Sequence, residues 1–291
     1  QQCLEAERLH ALYQYFVVLA VTGITADAAL YLEECDQVLE ALGTPVQERY
    51  DLLKSHHATA EKRYYPLAQE VITGTYVGDY DYVLDLLDRC YFPTREGVAN
   101  FHDNFVDALI LAGEEKIAEG KVEQAVTLYK KAFTYPENHQ VFLVDERATH
   151  DAQINYCLGE AYAALGQDAE AEKYWKLAAE QDYELKGSKD FRYWTGLALE
   201  RLGRKAEAEA IFSALVADGE AAVVTQHVNF YGAEGTTGVT VDIINSAAYY
   251  TQALGHLGLG HRGKAKRLFA EVQRLKPDHL WANEFMKQFE K

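Results

Sequence analysis

The sequence predicts an all-α chain, a right-handed superhelical solenoid of about fourteen helices arranged in pairs. Three observations carry that prediction. Proline is scarce, five in 291 residues, and long proline-free stretches leave the i to i−4 hydrogen-bond ladder unbroken. Apolar residues make up 48% of the chain, enough to fill a continuous core. Glycine, alanine and aromatic positions also recur in register, as expected where each unit buries one face against its neighbour.

The register rests on four glycines, Gly120, Gly166, Gly203 and Gly260, which close the segments EEKIAEG, EAYAALG, LALERLG and LGHLGLG. Five residues after each stands alanine: Ala125, Ala171, Ala208 and Ala265. Nine residues after each stands an aromatic: Tyr129, Trp175, Phe212 and Phe269. Seven residues before each stands a small residue: Gly113, Gly159, Gly196 and Ala253. The closing glycine tolerates the backbone of a helix-ending turn. The small residue on the first helix of a pair is expected to face the alanine on the second, with the aromatic filling the space one turn further along.

The anchors stand 46, 37 and 57 residues apart, against a nominal period of about 34. The excess falls in connections, one around Asn138 to Ala148 and a larger one around Asp218 to Asp242. The larger one contains the Gly- and Thr-rich NFYGAEGTTGVTVD, which lacks helical periodicity. Upstream the register weakens: Gly78 is followed by Val83 and Leu87 at the two offsets, and Gly43 by Glu48 and Leu52. Leu4 to Thr22 reads as a capping helix. At the far end Pro277 and Asp278 open a last helix with Trp281, Phe285 and Phe289 on one face. The whole, 1–291, reads as one solenoid. Degenerate helix pairs and a cap occupy 1–103, three clear repeats 104–217, an irregular insertion 218–242, and the last repeat with its capping helix 243–291.

Over Phe105 to Lys291 this pattern resembles the tetratricopeptide repeat, a family whose groove binds peptides or partner proteins. A narrower resemblance rests on LEECDQVLEALGTPVQERYDLL, CYFPTREGVANFHD, YKKAFTYPEN and ALGHLGLGHRGKAKRLFAEV. These are similar to the carboxy-terminal helical region of large bacterial proteins that carry an uncharacterised, sugar-enzyme-like β-sandwich at the amino end. The resemblance implies a fragment of a larger protein, in keeping with a start at Gln1 rather than Met, and a carbohydrate association. Of that family's His–x–Trp–Glu–Gly element, only Glu96 and Gly97 follow Phe92 here.

Acids outnumber bases 45 to 28, giving a formal charge of −17. Such a surface repels phosphate backbones and anionic lipid, so nucleic acid and membrane are excluded as expected partners. A basic or neutral protein or peptide, or the parent chain's missing amino-terminal domain, is the expected partner, with carbohydrate as the alternative. Cys3, Cys35, Cys90 and Cys157 form no CxxC pair, so buried free thiols are expected rather than disulfides or zinc. That points to a cytoplasmic setting. The longest apolar run, Tyr15 to Val21, is too short to span a bilayer.

The helical offsets also define a candidate ligand face. Three residues before the small position come Tyr156, Tyr193 and Tyr250; six before come Asp107, Gln153 and Asp190; one after come Glu114 and Glu160. These positions share one side of the first helices, predicting an aromatic and acidic groove. It lacks the Lys, Arg and Asn that a clamp for a peptide carboxylate requires. Tyrosines can stack on sugars or contact basic side chains. No catalytic residue, metal ligand or cofactor is expected. The acids Asp107, Glu114, Glu160, Asp190 and Glu200 give no fixed separation of the kind glycoside hydrolysis requires, and GAEGTTG lacks the lysine of a phosphate loop. The adjacent His56 and His57 diverge on a helix, and His102 with Asp103 reads as helix-start polarity. The expected role is a non-catalytic protein-binding or scaffolding module.

Overall fold

The structure is a computed structural model and describes residues 25–93, 101–139, 150–181, 190–225 and 241–290. Within these residues it holds fourteen helices and no strand, apart from one isolated bridge between Phe92 and His139. The chain divides into two compact units, Gln1–Val144 and Asp145–Lys291. The expected capping helix over Leu4 to Thr22 lies outside the described residues, as does most of the connection from Asn138 to Ala148.

The first unit contains α1 (Thr25–Ala41), α2 (Val46–Ser55), the single turn α3 (His57–Ala60), α4 (Tyr64–Val77), α5 (Tyr80–Arg89), α6 (His102–Ala118) and α7 (Val122–Lys131). The second contains α8 (Asp151–Ala164), α9 (Asp168–Ala179), α10 (Arg192–Arg201), α11 (Lys205–Ala222), α12 (Val241–Gly258), α13 (Arg262–Leu275) and α14 (Leu280–Lys287). Six pairs are thus formed: α1/α2, α4/α5, α6/α7, α8/α9, α10/α11 and α12/α13. Each is joined at a glycine the sequence singles out, Gly43, Gly78, Gly120, Gly166, Gly203 or Gly260, and all six have φ between 69° and 86°. At Gly120 the amide donates to the Ile117 carbonyl at 3.0 Å, and the next amide, Lys121, donates to Lys116 at 2.8 Å. That double bond satisfies the last carbonyls of the first helix and turns the chain back. Ala163–Gly166 with Tyr162–Gln167 repeats it, as does Glu200–Gly203 with Leu199–Arg204. The fold is all-α, built of tetratricopeptide-type helix pairs.

The packing inside each pair corrects one expectation. A Cβ added to Gly113 would run into the Tyr129 ring; at Gly159 it would meet Trp175, and at Gly196 Phe212. It is the aromatic, not the alanine, that occupies the space left by the missing side chain. The alanines Ala125, Ala171, Ala208 and Ala265 are themselves buried. The α12/α13 pair keeps a methyl at Ala253, which is buried in one core cluster with Phe269. Its close approach is instead to the preceding helix. A Cβ on Gly258 would overlap Phe212, and one on Gly255 would lie 2.6 Å from the Phe212 carbonyl oxygen. Phe212 therefore sits between glycines of α10 and α12. The weaker α4/α5 pair uses Gly74, whose added Cβ would lie 2.6 Å from Val83.

The insertion is shorter than the expected 218–242, because α11 continues through Ala222 and α12 begins at Val241. Gly219, inside the stretch expected to be irregular, is a helical contact residue. An added Cβ there would lie 2.7 Å from the Ala248 carbonyl oxygen. Asp218 is also fixed, by an ion pair with Arg192. Thr225 precedes the stretch 226–240, which lies outside the described residues.

In the first unit a buried ion pair ties α1 to α2. Arg49 Nε and Nη2 donate to Asp36 Oδ1 and Oδ2 at 2.8 and 2.9 Å, with side-chain exposures of 4% and 0%. Cys35, Cys90 and Cys157 are free and buried. The ends of CYFPTREGVANFHD are aromatic anchors: Phe92 stacks on Phe101 at 4.2 Å, and His102 on Tyr135 at 4.2 Å. His102 thus opens α6 as a buried packing residue. Glu96 and Gly97 lie outside the described residues.

Candidate functional site: the first-helix face of the second unit

In the second unit α8 and α10 are first helices of successive pairs and lie side by side. Three layers of side chains cross between them, with Gln153 buried and Tyr156, Glu160 and Asp190 half-buried. At one end His150 Nδ1 donates to Gln153 Oε1 at 3.3 Å, and Phe191 packs on the His150 ring at 4.5 Å. The Gln153 Nε2 is buried without a hydrogen-bond partner. Beside it, burial holds the Asp190 carboxyl above the usual carboxylate range, against the opposing pull of its backbone hydrogen bonds, His150 and Arg192. In the middle, the Tyr156 and Trp194 rings lie 5.6 Å apart and tilted by 44°. Burial pushes the Tyr156 phenol up, and Arg201 opposes that shift.

At the other end Glu160 is fully engaged. It accepts from Arg201 Nε at 2.8 Å, Arg201 Nη2 at 2.5 Å and Trp175 Nε1 at 3.1 Å. A carboxylate so held is a structural strut between α8, α9 and α10. It holds Arg201 close to the Tyr156 phenol.

The remaining predicted residues fall elsewhere. Asp107 and Glu114 are on α6 in the first unit, half-buried and exposed respectively. Tyr193 and Tyr250 are buried, at 5% and 8% exposure. They belong to an aromatic core with Phe212, Phe269 and Phe285. The ring that covers them is Phe285 of α14, 5.8 Å from Tyr193 and 6.4 Å from Tyr250. Trp194, which offset counting passes over, is the residue that joins the layers. It touches Tyr156 on one side, and Trp281 and Phe285 of α14 on the other at 6.3 Å each. It stands one residue beyond the Tyr156-equivalent position, so the register alone assigns it to the neighbouring helix face.

A cleft of about 380 Å³ in the first unit, lined by Glu61 to Tyr64, Leu67, Arg89 to Tyr91 and Pro93, is a weaker candidate. Its cations are already committed: Lys62 to Glu61, Arg63 to Glu33, and Arg89 to Asp85 and His57. Among the described residues no cluster of His, Cys, Asp and Glu is arranged to hold a metal ion. No helix among them is long and apolar enough to cross a membrane.

Comparison with protein-family models finds no match, and neither does comparison with curated proteins. Among solved structures, the chain is similar to YrrB, a TPR protein with an unusual peptide-binding site. The likeness has 17% sequence identity, covers 80% of this chain and 96% of that one, and has a TM-score of 0.28. The assignment to tetratricopeptide-type pairs therefore stands on this chain's own glycine turns and ring-in-glycine packing.

Proposed function

We propose that this chain is a non-catalytic protein- or peptide-binding module, and that the face formed by α8 and α10 holds the ligand. The observation that carries the reading is the Tyr156–Trp194 ring pair on successive first helices. Rigid aromatic anchors provide large contact area at small entropic cost, and such residues dominate binding energy at protein surfaces. Arg201 stands at one end of the pair, half-exposed, and would fix a peptide's direction, with Asp190 at the other end and Gln153 buried beneath the face. Following the narrower resemblance, the partner is a separate protein or the amino-terminal domain of a bacterial parent chain.

The test is direct. Peptides selected on the intact chain from a displayed random library should lose about tenfold or more in affinity on Tyr156→Ala or Trp194→Ala, with helix content unchanged. Capture that survives both substitutions ends the proposal. A carbohydrate-binding role is the second reading, favoured by the same tilted rings, which would stack on a sugar face. Against it stands Glu160, whose engagement by Arg201 and Trp175 leaves it poorly placed for sugar hydroxyls. Calorimetry with an oligosaccharide panel separates the two, and turnover of any of those sugars would defeat the non-enzyme assignment.

A further inference from the structure

The last helix lies where the sequence predicts an open face. Phe285 is 4% exposed and packs against Tyr193 and Trp194 of α10, Tyr250 of α12 and Phe269 of α13. Its ring lies 5.2 Å from Phe269 with the planes 11° apart. One turn before it, Trp281 meets Trp194; one turn after it, Phe289 meets Phe269 at 6.3 Å. The helix and the turn that follows it thus present aromatic residues at i, i+4 and i+8 to a seat made by earlier helix pairs. That is the geometry by which an amphipathic helix occupies a groove.

Two features set α14 apart from the helices it covers. It is eight residues long, far below the length at which a helix is stable alone. It is also held by a row of aromatic side chains. Where α11 and α12 meet, Gly219 and Gly255 admit the neighbouring helix to backbone contact and Gly258 admits the Phe212 ring, whereas Leu280–Lys287 contains no glycine. Its hydrogen bonds include Ala282 N to His279 Nδ1 at 3.3 Å, Asn283 Nδ2 to the Pro277 carbonyl at 3.0 Å, and Gln273 Nε2 of α13 to Asn283 Oδ1 at 2.9 Å. Its seat is continuous with the candidate ligand face, because Trp194 belongs to both.

We propose that α14 is an in-chain occupant of this face, displaceable by a partner's amphipathic helix that carries aromatic residues at the same i, i+4 and i+8 spacing. The inference names the partner class for the function proposed above and rests on that reading. It extends the site from Tyr156 and Trp194 onto Tyr193, Tyr250 and Phe269, which become available when α14 leaves.

The experiment uses the intact chain and a synthetic peptide copying residues 277–290. By fluorescence anisotropy, the Phe285→Ala chain should bind the peptide at least about tenfold more tightly than the unaltered chain, because its own helix no longer fills the seat. A peptide with alanine in place of its own phenylalanine at that position should lose the gain. A folded, monomeric Phe285→Ala chain without the gain, or a gain indifferent to the peptide's phenylalanine, overturns the proposal. Should that variant fail to fold, hydrogen exchange on the unaltered chain decides. The α14 amides should exchange at least about tenfold faster than those of α12 and α13 through local opening; release of all three together overturns it. Because Tyr156 is untouched in both measurements, peptide capture through Tyr156 and Trp194 can succeed while this inference fails.

Discussion

Two kinds of glycine with different physics hold the pairs together, and substitution separates them. Gly166 has φ 69° and nothing within 4 Å of an added Cβ, so Gly166→Ala meets only backbone strain, about 1–2 kcal/mol. Gly159 is helical, and a Cβ there collides with Trp175. Overpacking of about 1–3 kcal/mol is set against a helix-propensity gain of about 1 kcal/mol. In urea titrations both substitutions should destabilise. In a Trp175→Ala background the Gly159→Ala penalty should disappear, while that of Gly166→Ala should stay. Equal penalties in both backgrounds would remove the ring-in-glycine contact from the account of the fold. His279 gives a pH test. Burial, with help from Lys276 and against Asp278, lowers its imidazole to about 4, from about 6.5 in the unfolded chain. On acidification the unfolded chain takes up that proton first. The stability His279 contributes is therefore complete above about pH 6.5 and falls away towards pH 4, with about 2 kcal/mol gone by pH 5. His279→Asn, which can still cap α14, should flatten that part of the stability–pH curve. An unchanged slope would show that His279 is not held neutral.

At the scale of elements, the buried Asp36–Arg49 pair decides how α1 meets α2. Arg49 also reaches Gln69 at 3.3 Å and Glu40 at 3.2 Å, so the guanidinium is satisfied only with all three partners. Asp36→Asn leaves a buried cation short of its counter-ion and should cost about 3–5 kcal/mol. Replacing both residues by leucine and methionine should cost far less, and thermal melts of the single and double variants check this. These helices were legible from the sequence because their joints obey a local rule: only glycine takes positive φ cheaply. Gly43 and Gly78 marked joints even where the alanine and aromatic offsets had decayed to Glu48 and Leu87. What stayed hidden depends on contacts distant along the chain. Gly219 stands inside the stretch expected to be irregular, yet it is helical and α12 lies against it. Tyr193 and Tyr250 occupy the same offset as Tyr156, yet they are covered because Phe285, thirty-five or more residues away, closes over them. Trp194 falls one place off the register, so no periodicity selects it. Tyr156 and Glu160 were placed by the same count on α8, but that Glu160 is bound to Arg201 is a fact of packing.

For the whole molecule, the charge of −17 and the small aromatic face act on different stages of an encounter. Acids exceed bases 45 to 28 in total, and many of the bases lie in ion pairs, as Lys131 does with Asp88 and Arg204 with Glu207. The field that reaches an approaching peptide is thus negative, and it extends about 8–10 Å at ordinary ionic strength. Such a field raises the association rate of cationic ligands more than it strengthens the final complex. The Tyr156–Trp194 pair, being apolar and short-ranged, governs how long a docked peptide stays. Two peptides with the same aromatic residues, one flanked by lysines and one by glutamates, should therefore differ mainly in on-rate at low salt. By stopped-flow fluorescence the lysine peptide should associate about tenfold or more faster in dilute buffer, and the two should converge as sodium chloride approaches 1 M, where screening acts within about 3 Å. Their off-rates should stay close throughout, and Trp194→Ala should raise both. A salt-insensitive on-rate for the lysine peptide, or faster association of the glutamate one, would show that the acidic surface keeps the chain in solution without steering its partner.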